Sequence, residues 1–114
     1  MVKTINVGGR ELIFAANAAT PYRYKQLFNE DLFEVFTTAS KSGEEESFAM
    51  ADVITRLAYI MTRQAEKADM NAISMDDFIA WLEDFGPMDI VLAGEEILNF
   101  YLSTTNGSIV PKKK

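Results

Sequence analysis

The pair Gly8-Gly9 constrains this chain more than any other feature, because it stands between two short runs of β-forming residues. Both glycines can reach the positive φ angles that a two-residue hairpin turn demands. With the turn placed there, Ile5 lies opposite Leu12, and Val7 and Phe14 share their face. Thr4, Asn6 and Glu11 fall on the other face, so one register sorts apolar from polar. A lone two-stranded ribbon is marginal in water and needs a covering layer. Everything after Ala16 reads as helix, so the helices must supply it. The expected fold is α+β: a two-stranded β-hairpin over residues 2–15 packed on a bundle of about four to five α-helices. Residues 1–107 make one domain, followed by a basic tail over 108–114. An exposed strand edge recruits other chains, and Lys3, Ile5, Glu11 and Ile13 form the expected edge for self-association.

Helix signals follow in order. Thr20 before Pro21 reads as an N-cap with proline at the first helical position, opening a helix to about Phe28. Asn29 to Asp31 offers a break and a new cap, after which Leu32, Val35 and Phe36 share a face with Phe33 beside them. Gly43 and the acids of Lys41-Ser-Gly-Glu-Glu-Glu-Ser47 read as a linker. From about Ser47 to Lys67, Phe48, Ala51, Ile54, Leu57, Ala58 and Met61 repeat at helical spacing, with Asp52, Arg56, Arg63 and Glu66 on a wet side. This is the expected central core helix. Ser74 with Asp77 resembles a capping box ahead of Phe78, Ile79, Trp81, Leu82 and Phe85, and Gly86-Pro87 ends that helix. A last helix is expected from near Met88 to about Thr104, with Gly94 inside it packed closely against another backbone and Asn106-Gly107 ending the fold.

Composition narrows the chemistry. The chain has 114 residues, enough for a single core, and 48% of them are apolar, as in a folded globule. Cysteine and histidine are both absent. Disulfides, thiolate chemistry, Ser-His-Asp and Cys-His sites and the common zinc sites go with them. A net charge of −6 disfavours nucleic acid and acidic lipid as partners. The first residues do not read as a signal peptide, and no stretch is apolar for long enough to cross a bilayer. No cofactor, metal, nucleic acid or membrane is expected, and the protein is read as cytoplasmic.

Gly8-Gly9 lacks the further glycine and Lys-Ser/Thr pair of a phosphate loop. Asp69-Met-Asn71 fails as a calcium loop, because Ile73, Ser74 and Ala80 stand where a ligand, a glycine and a glutamate are needed. The neighbouring acids Asp76/Asp77, Glu83/Asp84 and Glu95/Glu96 do not face each other on a helix and read as solvated faces. Aromatic residues are more plentiful than short helices usually hide. Core explains most of them, but Phe33, Phe36 and Phe85, near helix ends, are the expected partner-binding groove.

The ribbon Lys3-Thr-Ile-Asn-Val-Gly-Gly-Arg-Glu-Leu12, the helix entry Thr20-Pro-Tyr-Arg-Tyr-Lys25, the long apolar middle helix and Ser74-Met-Asp-Asp-Phe-Ile-Ala-Trp-Leu-Glu-Asp-Phe85 together resemble the tail assembly chaperones of long-tailed phages and prophages of Gram-positive bacteria. The resemblance implies a non-enzymatic protein of the bacterial host cytoplasm. It would bind the tape measure protein during tail assembly, with the major tail protein as a further partner and with homo-oligomers formed along the way. It also implies a longer form made by translational frameshift, for which Lys112, Lys113 and Lys114 are the expected junction. The alternative carried beside it is an acidic interaction module, such as a DNA-mimic inhibitor of a host enzyme.

Overall fold

The computed structural model describes residues 1–36, 48–67 and 72–109. Strands β1 (Val2–Val7) and β2 (Arg10–Ala15) pair antiparallel with Ile5 opposite Leu12 and Val7 opposite Arg10. Gly8 and Gly9 turn the chain at φ 61° and 85°. Ile5, Val7 and Phe14 are buried while Thr4, Asn6 and Glu11 are exposed, so the alternation of the two runs decides which face meets the helices. Lys3 and Arg10 occupy the two ends of that inner face and keep their charged heads at its rim. Lys3 Nζ lies 3.7 Å from Glu96, and the Arg10 guanidinium covers the Phe85 ring at 5.0 Å.

The helices are α1 (Thr20–Phe28), α2 (32–36), α3 (Phe48–Ala65), α4 (Met75–Leu82), α5 (Asp89–Leu92) and α6 (Gly94–Ile109). Helix α3 lies under β2, while α5 and α6 lie on the β1 side. Five consecutive residues of α3, Leu57 to Met61, are buried, and Thr62 with them. A stripe cannot bury five positions in a row, so this half of α3 is enclosed by the hairpin, α1, α4 and the last helices. Each large side chain sealed in this way contributes about 1.5–3 kcal/mol.

Several local expectations change. Thr20 is the first residue of α1, not its cap: Ala19 is the N-cap and makes no side-chain cap bond. The Thr20 hydroxyl instead accepts from the Asn17 N–H at 3.0 Å and from Gln64 Nε2 at 2.9 Å, tying the hairpin exit to α3. Asn29 closes α1 in the left-handed region, and Asp31 Oδ1 then accepts from the Phe33 and Glu34 amides to open α2. Arg56 and Arg63 are half-buried, with guanidinium groups 5.6 Å above Phe28 and 5.2 Å above Tyr59, so two residues of the expected wet side act as lids on aromatic rings.

The Ser74 capping box forms as expected. The single helix expected from Met88 breaks into α5 and α6 around Ala93, and Gly94 starts α6. A Cβ on Gly94 would meet only the Ile54 side chain, at 3.6 Å, so no backbone presses on it. Helix α6 continues through Asn106 and Gly107 to Ile109, because residues of poor helix propensity weaken a helix by only about 1 kcal/mol each. The expected linker over 41–47 and the lysines Lys112, Lys113 and Lys114 lie outside the described residues. No described helix is long and apolar enough to cross a membrane.

Candidate functional site

The aromatic surplus is core. Six rings form a continuous chain: Tyr24–Phe28 at 5.1 Å, Phe28–Phe78 at 5.0 Å, Phe78–Tyr59 at 5.2 Å, Tyr59–Trp81 at 5.3 Å and Trp81–Phe85 at 4.9 Å. It joins α1, α3 and α4 through tilted and edge-on contacts of the kind such rings prefer. The expected groove of Phe33, Phe36 and Phe85 is not assembled from these residues. Phe85 ends the ring chain and is covered by Arg10, whereas Phe36 packs on Tyr101 at 6.0 Å. Only Phe33 stands open, 58% exposed.

The apolar surface lies elsewhere and is mostly aliphatic or methionine. Met1, Val2 and Ile13 are exposed on the hairpin, Met75 and Ile79 on α4, and Met88 and Leu92 at α5, with Leu92 78% exposed. Met75 and Ile79 are one turn apart and share a face. A shallow groove of about 690 Å³ runs beside β1, lined by Met1, Val2, Leu92, Glu95, Asn99 and Phe100 among others.

The hairpin edge can be read from its hydrogen bonds. Met1 and Ala16 exchange both main-chain bonds at 2.9 Å, which makes them a hydrogen-bonded pair. Alternation then assigns inward-facing main-chain groups to Lys3, Ile5 and Val7. The expected edge residues Lys3 and Ile5 therefore face β2, and the Ile5 side chain is sealed in the core. The outer edge of β1 belongs to Val2, Thr4 and Asn6. Glu11 and Ile13 do lie on the outer edge of β2, but α3 packs along that strand and Gln64 Nε2 donates to the Ala15 carbonyl at 2.8 Å. The more open edge is β1.

A second cleft, of about 460 Å³, separates the end of α3 from α4. Tyr59 and Arg63 form one side, Asp77, Ala80, Trp81 and Asp84 the other, and Ala72 and Ile73 close one end. In the sequence its acids read as a solvated face and its rings as core. The readable signal is the spacing of Asp77, Trp81 and Asp84, which places one acid and an aromatic ring on one side of α4 and the second acid in the turn that follows it.

The titratable groups buried elsewhere hold structure together. The Tyr24 hydroxyl donates to Glu30 Oε1 at 2.6 Å, and Arg56 donates to the same oxygen at 3.1 Å. Burial first, then the bond to the Glu30 carboxylate, pushes the Tyr24 phenol well above its ordinary pKa. Among the described residues no three His, Cys, Asp or Glu side chains converge as a metal site would require. No family model, no curated protein and no solved structure matches this chain.

Proposed function

We propose that this protein is a phage or prophage tail assembly chaperone that binds the tape measure protein and acts without catalysis. The observation that carries the reading is the set of apolar side chains left at the surface of an acidic domain: Met75 and Ile79 on α4, Met88 and Leu92 at α5, and Met1, Val2 and Ile13 on the hairpin. Methionine repacks around varied partners, and scattered aliphatic positions of this kind suit a surface that covers a long helical client. The charge of −6 would keep many copies on one client apart from other complexes. Copies would join through the outer edge of β1, where Val2, Thr4 and Asn6 present their main-chain groups.

Co-expression tests this. A helical fragment of the tape measure protein encoded in the same genome is expected to move from pellet to supernatant when this chain is present. Ile79→Glu and Leu92→Glu change exposed positions, so they should spare the fold and reduce the rescue. A fragment equally soluble without the chain, or fully rescued by both variants, would sink the reading.

A further inference from the structure

We propose that copies of this chain are linked by the segment Val110 to Lys114 of one copy, laid as an added strand along the outer edge of β1 of the next. The inference rests on the reading above that copies join at β1, and it names the segment that reaches that edge. Val2, Thr4 and Asn6 turn their main-chain groups away from β2, and among the described residues nothing bonds to them. The strand is six residues long and carries neither a proline nor a bulge, two of the usual guards of an open edge. The groove of about 690 Å³ runs beside it.

A second β1 does not fit there. Ile5 and Val7 are only 1% exposed although they stand on an edge strand, so α5 and α6 reach out beneath that edge. Glu95, Asn99 and Ser103 follow one another at spacings of four and line the groove, so one face of α6 looks out past β1. Pairing two β1 strands antiparallel would bring both helix layers under the same seam. A lone extended segment brings no helices with it. Among the described residues the extended runs are β1 and β2, and α3 packs along β2. Of the remaining runs, 37–47 carries Glu44, Glu45 and Glu46 against Lys41, and 68–71 has four residues. Val110-Pro-Lys-Lys-Lys114 is left, and it is basic where the groove is acidic. Lys3 pairs with Glu96 at 3.7 Å, which leaves Glu95 exposed and, among the described residues, without an ion pair.

The lengths agree as well, because five extended residues span about 17 Å alongside the six of β1. Pro111 has no N–H to give, so its main chain faces away from β1, while Val110, Lys112 and Lys114 face it. In the antiparallel sense the side chains of Pro111 and Lys113 then stand on the groove side, where Glu95 is the counter-charge. Donor segment and acceptor edge are different parts of the chain, so the contact does not close on itself and builds an open string of copies.

Amide nitrogen–proton correlation spectra of mixed full-length chains give the test. The labelled receptor carries Lys112→Glu, Lys113→Glu and Lys114→Glu, so its β1 edge is intact and its own segment cannot donate. Unlabelled parent, added to about 1 mM, should shift Val2, Thr4, Asn6 and Glu95 of the receptor, and 0.5 M salt should weaken the effect severalfold. Unlabelled chain with the same three glutamates should bind about tenfold more weakly or worse. Val110→Pro keeps the charge but removes a main-chain donor, and as titrant it should bind severalfold more weakly than the parent. Thr4→Pro in the receptor removes an outward N–H and no β1–β2 bond, so the hairpin stays paired while the shifts disappear. Either altered titrant binding as well as the parent would overturn the assignment of the segment while leaving the joining of copies at β1 in place. Shifts away from β1 and α6, no shifts up to about 1 mM, or concentration-independent differences showing the segment on its own β1 would also overturn it. Rescue of the tape measure fragment judges the chaperone reading separately, and either test can fail without the other.

Discussion

Replacing Gly8 by alanine tests how the hairpin is locked to the last helices. Gly8 sits at φ +61°, and a Cβ there would land on the Asp89 carboxylate, inside van der Waals contact. Gly9, its neighbour in the turn, sits at φ +85° with nothing within 4 Å of its Cβ position. Both substitutions carry the strain of placing an L-residue in the left-handed region, about 1–2 kcal/mol. Only Gly8→Ala must also move Asp89, whose Oδ2 accepts from the Gly86 N–H at 2.7 Å and so shapes the entry to α5. That hydrogen bond is exposed and contributes about 1 kcal/mol. Gly8→Ala should therefore cost about 2–3 kcal/mol, and Gly9→Ala about 1 kcal/mol less than that. Urea denaturation measures both, with an unchanged m-value showing that stability alone has moved. In an Asp89→Ala background the difference between the two glycine substitutions should shrink, because the carboxylate is gone and only the Cβ of residue 89, at 3.0 Å, still crowds the turn. Equal costs in the parent chain would refute the argument that Asp89 presses on the turn.

Two further predictions concern stability. Gly94→Ala places a methyl at ordinary contact distance from Ile54 and restricts the unfolded chain, so it should stabilise the protein by about 0.5–1 kcal/mol in the same urea assay. A loss of stability would mean that Gly94 is under a backbone constraint. Tyr24 governs the alkaline limb of the pH–stability curve. Its folded-state pKa is raised by burial and by Glu30, so its contribution is complete below the ordinary phenol pKa of about 10. Above that pH the unfolded state loses the proton first, and stability falls by up to about 1.4 kcal/mol per pH unit. Tyr24→Phe should flatten this fall between roughly pH 10 and 11.5, and an unchanged slope would contradict the assignment.

The hairpin was legible because its information is local. Gly8-Gly9 fixes the turn, and the period of two then fixes every face from Lys3 to Phe14. The Ser74 cap was legible for the same reason. What the sequence could not display was the environment of its aromatic residues. Phe36 and Phe85 follow helical patterns as exposed residues would, but Tyr101 and Arg10, each more than sixty positions away, cover them. Arg56 and Arg63 carry charges that mark a wet side, yet their long stems let them lie across Phe28 and Tyr59. The break at Ala93 has no clear mark in the sequence, because apolar spacing continues through it and only Gly94, where α6 begins, stands beside it. The cleft between α3 and α4 depends on two elements meeting, and only its α4 side has a pattern in the chain.

The most direct test of the binding account is the mass of a complex. This chain should be co-expressed with the full tape measure protein from the same genome, purified through a tag on the tape measure, and analysed by size exclusion with light scattering. The account predicts one soluble species holding several copies of this chain on each tape measure protein. A tape measure protein that stays soluble and elutes alone, with this chain running separately, would contradict it.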